Sequence, residues 1–156
     1  MMKNTTFLFI CFVGLGACQG NTDSATSSTP NNPDPLTQQE LTEKCYVYVQ
    51  KNDTIRLQLT QADTKAVEGT LQYNLYEKDK NKGTITGEMH GDTLFADYTF
   101  DSEGVRSVRE VAFLRKGNTL VEGFGEVEER SGKMVFRNRS KLKFGNYIVL
   151  TETPCQ

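Results

Sequence analysis

The chain has no tryptophan, a single histidine (His90) and only four cysteines among its 156 residues. One imidazole cannot build a multi-histidine metal site, and no zinc signature, phosphate loop or GxSxG elbow is present to suggest another chemistry. An excess of charge of one sign is also missing, since 18 basic and 20 acidic side chains leave a net charge of −2. Without a basic patch, nucleic acid is not an expected partner. Without a polybasic segment, attraction to anionic lipid cannot by itself hold the protein at a membrane. Long apolar runs are confined to the N-terminus, and the one found there is too short to span a bilayer and remain in it.

That N-terminal run is the first informative feature. Lys3 supplies a positive start, Phe7 to Val13 is an apolar stretch, and small residues precede Cys18. The arrangement is that of a secretory signal. Its ending, Leu15-Gly16-Ala17-Cys18, resembles the lipobox of bacterial lipoproteins. The resemblance implies cleavage after residue 17, a thioether-linked diacylglyceryl group on Cys18, and a further acyl chain such as palmitate on the new amino group. Each buried methylene contributes about 0.8 kcal/mol, so several chains would anchor the protein where one would not. The expected location is the cell envelope, on the outer or inner membrane, with the domain in the periplasm or at the surface.

The cysteines then sort themselves. Cys11 leaves with the signal and Cys18 carries lipid, which leaves Cys45 and Cys155 at the two ends of the remaining chain. In an oxidising compartment such a pair reads as a disulfide, and closing so long a loop stabilises by about 4–5 kcal/mol at most. Residues 19–35, QGNTDSATSSTPNNPDP, hold no large apolar side chain, so burial cannot offset the entropy of ordering them. The expected organisation is a signal over 1–17, a lipidated cysteine and polar tether over 18–43, and a β domain over 44–156. Asp34 and Pro35 would cap a short helix over 36–43. Asp23-Ser24-Ala25 resembles the O-glycosylation motif of Bacteroidetes envelope proteins, which makes Ser24 a candidate glycosylation site.

From Cys45 onward the hydrophobic period is two. Ile55, Leu57 and Leu59 share one face, as do Val67, Leu71, Tyr73 and Leu75, then Ile85 and Met89, then Leu94, Ala96, Tyr98 and Phe100, and finally Leu142, Phe144, Ile148 and Leu150. One apolar face per strand indicates an antiparallel sheet with one side on a core. Turn signals at 51–53, 79–83, 91–92, 102–104, 117–118 and 131–132 separate the runs. The predicted fold is all-β: a single antiparallel meander closing into a small up-and-down barrel of about 8–10 strands, with a β-sandwich as the alternative. The pattern is similar to calycin-like barrels and to small lipoproteins of the Bacteroidetes type, although the early tryptophan of the lipocalin signature is missing.

Glu88, His90 and Asp92 form the first candidate for chemistry, but Gly91-Asp92 is also a turn signal, and a metal needs ligands converging from several elements. Asp79-Lys80-Asn81-Lys82-Gly83 echoes the start of a calcium loop, yet it lacks the third acidic position and the closing glutamate. No metal and no cofactor is expected. The segment VRSVREVAFLRK is the most informative: if Val111 and Phe113 face the core, Arg109 does too. A buried guanidinium needs an acidic or carbonyl partner, and Glu122 and Glu126 on the following strand are the candidates. Together these three make a candidate ligand-binding group; the bland alternative is a structural ion pair. No nucleophile–base arrangement is found, so no enzyme is expected. The function expected is that of a monomeric, lipid-anchored envelope protein whose barrel binds a small ligand or an envelope protein. One alternative is an inhibitor of an envelope-attacking enzyme such as a lysozyme; another is a hydrolase with an unrecognised carboxylate site.

Overall fold

In the computed structural model, which describes residues 41–61, 65–78 and 80–156, the period-two pattern becomes ten strands. These are β1 (Thr42–Gln50), β2 (Asp53–Gln61), β3 (Ala66–Asn74), β4 (Asn81–His90), β5 (Thr93–Ser102), β6 (Val105–Lys116), β7 (Thr119–Glu122), β8 (Val127–Arg130), β9 (Lys133–Phe136) and β10 (Val149–Thr153). The signal, Cys18, Ser24 and the tether lie outside the described residues.

Strands β1 to β7 form an antiparallel meander in which each strand pairs with its predecessor, apart from the excursion through β8 and β9. Strand β10 then returns between β7 and β1, and β5 pairs with β6 to close an eight-stranded barrel. Closure leaves the barrel itself no free edge, the usual liability of an open sheet, and the short strand β8 ends the sheet outside it. The hairpins are tight because the turn residues suit them. In the β5–β6 turn both central residues, Glu103 and Gly104, have positive φ of 51° and 79°. That pattern matches the twist of the flanking strands, and glycine adopts it without steric cost.

The interior follows the alternation. Ile55, Leu71, Leu94, Phe113 and Leu150 are fully enclosed, and each contributes about 1.5–3 kcal/mol by leaving water. Gly87 lies between Ile85 and Met89 on the same face, opposite Ala96 of β5. A Cβ at Gly87 would run into Phe95 O and the Ala96 side chain, so the small pair is what lets β4 and β5 approach as the sheet coils. Cys45 and Cys155 form a disulfide with a Cα–Cα distance of 5.2 Å, which ties β1 to the chain just beyond β10.

A second, smaller layer lies outside the wall. Ala112 and Val121 point away from the core yet are buried, together with Phe136 from β9. The β8–β9 hairpin meets β6 in parallel at Arg109 and Met134. Leu142 packs against Gly125, and the Phe144 ring lies so close to Gly123 that a Cβ there would stand 2.6 Å from it.

Three expectations are corrected. The segment 142–150 is not one strand: Asn138 caps a single 3-10 turn over Arg139–Lys141, and only Val149 onward joins β10. Leu142 and Phe144 are therefore spent on the outer layer, since the Asn138 side chain accepts from Ser140 N at 2.9 Å and bends the chain there. The short helix does not reach residue 43, because Thr42 and Glu43 already pair with Gln61 and Thr60 of β2, which satisfies their backbone in a ladder. The turn signal at 79–83 is shorter than expected, since Asn81 to Gly83 belong to β4 and pair with β3.

Candidate functional site

In an up-and-down barrel, alternate strands begin at the same end. Thr42 of β1 and Thr153 of β10 mark one end, beside the disulfide. The β3–β4 loop, the β5–β6 turn, the end of β7 and the start of β10 meet at the other. This second end is the mouth. Strands β7 and β10 are only four and five residues long, so there the wall gives way to the irregular chain on either side of them.

Arg109 is paired with Tyr98 across β5 and β6, on the inward face with Val111 and Phe113, as the alternation predicts. Its guanidinium carbon lies 4.9 Å from the Tyr73 ring centroid, 5.4 Å from that of Tyr98 and 5.5 Å from that of Phe100. Tyr98 and Phe100 are themselves stacked at 4.7 Å. Cation–π attraction from three rings thus fixes the position of the cation without a hydrogen bond to its Nε. Glu122 closes β7 opposite Phe113, also facing in, and its Oε1 accepts from Tyr73 Oη at 2.6 Å.

The electrostatics follow from burial. Burial raises the Glu122 carboxyl above the usual glutamate range, against the hydrogen bond from Tyr73 and the charge of Arg109, both of which lower it. Burial also raises Tyr73 well above an ordinary phenol, and Glu122 adds to the effect while Arg109 opposes it. Tyr98 is pushed up to about 12 by burial, with Arg109 pulling the other way. Both tyrosines are neutral at physiological pH, and so are hydrogen-bonding groups rather than acids.

Among the described residues, four buried side-chain polar atoms lack a hydrogen-bond partner: Asn81 Oδ1, Tyr98 Oη, Arg109 Nε and Glu122 Oε2. Three of their residues, Asn81, Arg109 and Glu122, line one cavity of about 550 Å³ at the mouth. Leu75, Ile148 and Phe124 supply its apolar wall, and Glu77 and Lys78 stand at its rim. Its size falls within the range of small-molecule sites.

Glu126 does not join this group. The chain leaves β7 after Glu122, and Glu126 lies exposed in the outer layer, 3.3 Å from Arg137. Glu88, His90 and Asp92 are likewise dispersed: Glu88 and His90 sit 3.8 Å apart in solvent on the outer face of β4, while Asp92 is paired to Arg115 at 2.9 Å. Tyr73, Tyr98 and Asn81 are site residues that the sequence pattern marks only as core or turn positions. The available signal was the presence of hydroxyl-bearing aromatics on the same inward face as an arginine, since a buried hydroxyl needs a partner. No protein-family model matches the chain, and no curated protein and no solved structure matches it.

Proposed function

We propose that this is a lipid-anchored protein of the bacterial envelope whose barrel binds a small polar ligand at its mouth without transforming it. The observation that carries the reading is the convergence of Asn81, Arg109 and Glu122, each with an unpartnered buried atom, on one cavity. Unpaired buried polar groups cost about 1–3 kcal/mol each, and a ligand that satisfies them recovers that energy on binding. The anchor rests on the lipobox at Leu15 to Cys18.

The test is to purify the protein from its own membranes and identify by mass spectrometry what is released on denaturation. A small polar molecule that accompanies the wild type and is lost from Arg109→Met supports the reading; none from either sinks it. Fractionation of Cys18→Ala tests the anchor separately, with the variant expected in the soluble fraction. A protein partner is the second reading. It is favoured by Tyr147, 82 % exposed next to cavity-lining Ile148, and by exposed Tyr76 and Phe124 beside the same cavity. Such a partner would co-purify in place of a small molecule.

A further inference from the structure

We infer that the mouth takes an amphoteric small molecule, one carrying a carboxylate and an ammonium group a few bonds apart, as an amino acid does. This rests on the ligand-binding reading above and narrows it to a chemical class. Arg109 Nε is a donor only, and the guanidinium remains protonated at any relevant pH, so the atom needs an acceptor. Carboxylates match the planar guanidinium best, and the three surrounding rings have already fixed its position. Glu122 Oε2 and Asn81 Oδ1 are acceptors, and they need donors. The missing partners are therefore of opposite kinds, at side chains that line one cavity.

Charge points the same way. Arg109 and Glu122 feel each other's charge and share Tyr73 between them, and both line the cavity. A ligand with only a carboxylate would satisfy Arg109 but bring a second negative group beside Glu122. A ligand with only an ammonium would satisfy Glu122 and crowd Arg109. Each like-charge approach is unfavourable beside a side chain as buried as Glu122. A molecule bearing both signs meets each wall with its complement, and Leu75, Ile148 and Phe124 are left for an apolar side group.

Three probes of one skeleton separate these cases: phenylalanine, 3-phenylpropionate and phenethylamine carry both charged groups, the carboxylate alone and the ammonium alone. Glycine, acetate and methylamine repeat the comparison without the ring. Each is titrated into the detergent-solubilised full chain while the Arg109 Nε–H resonance is followed by NMR. Phenylalanine is expected to bind at least about tenfold tighter than either single-charge probe, a difference of about 1.4 kcal/mol. Glu122→Gln should bring phenylalanine down to the level of 3-phenylpropionate, and Arg109→Met, followed by calorimetry because it has no Nε–H to observe, should bring it to the level of phenethylamine. If either single-charge probe matches phenylalanine on the wild type, the mouth binds ligands but the amphoteric class is wrong. If none of the six shifts the resonance, these side chains take no such ligand and the ligand-binding reading falls too. Wild-type titrations alone decide among these outcomes, so neither depends on a variant that folds poorly.

Discussion

Glu110 and Glu122 are both buried, 8 % and 6 % exposed, and they sit on opposite faces of the same barrel wall. Their surroundings differ in a way their burial does not reveal. Glu110 faces the outer layer, where Oε2 accepts from Phe136 N at 2.8 Å and Oε1 from Arg139 Nε at 2.7 Å. Arg139 in turn lies over the Phe95 ring at 4.6 Å. That carboxylate has a partner on each oxygen and pins the β8–β9 hairpin to the barrel. Glu122 has one hydrogen-bond partner, Tyr73, and a second oxygen buried without one, on a side chain that lines a cavity. Equal burial therefore separates a fastening from a site, and the number of satisfied oxygens is what distinguishes them.

The largest effect expected from breaking this comparison is at Glu110. Glu110→Ala leaves Phe136 N without its acceptor and releases Arg139, so urea denaturation should show a loss of about 2–3 kcal/mol. An unchanged midpoint would mean the outer layer is not held by this residue. Gly123→Ala disturbs the same layer without touching the carboxylate. A Cβ there would stand 2.6 Å from the Phe144 ring, and displacing it should cost about 1–2 kcal/mol. Tyr147 and Ile148 should shift in NMR spectra of that variant, since they follow Phe144 closely in the chain.

The smallest effect has the opposite sign. Glu122→Gln keeps an oxygen for Tyr73 and removes a charge that burial disfavours, so stability at neutral pH should rise slightly. The pH dependence has a definite direction. Unfolded, Glu122 titrates as an ordinary glutamate; folded, it holds its proton to higher pH because of burial. Between those two values the native state binds the extra proton, so stability falls as pH rises through the window and stays reduced above it. Denaturant midpoints measured from about pH 7 down to about pH 4.5, just above the ordinary glutamate value, should show the wild type gaining on Glu122→Gln. Parallel curves would show that the carboxyl is not perturbed. Glu110→Ala should leave this difference intact if the two faces of the wall are independent.

Much of the barrel was legible because alternation is a local property. Ile55, Leu57 and Leu59, or Leu94, Ala96 and Tyr98, declare a face without knowledge of what covers it. The turns at Gly91, Gly104, Gly117 and Gly132 are also local, since each of these glycines has positive φ. Arg109 and Glu122 could be assigned to the interior from the same parity. Segment 142–150 misled because Leu142 and Phe144 keep a strand-like spacing while packing on the outside of the wall. Which of two buried surfaces receives an apolar side chain is not written in its spacing. Glu126 misled in a related way: it has the parity of Glu122, but the strand ends between them.

By itself the sequence determined the class of fold, the disulfide between Cys45 and Cys155, and which faces of β2 to β6 point inward. All three depend on residue type and short-range periodicity. Only the tertiary structure decided that Arg109, Glu122 and Asn81 meet at one cavity, that Tyr73 engages one oxygen of Glu122 and leaves the other bare, and that Glu110 is fully partnered. Those outcomes depend on how strands far apart in the chain are brought into register when the barrel closes. Whether a buried charge is satisfied is a property of that register, not of the residues taken singly.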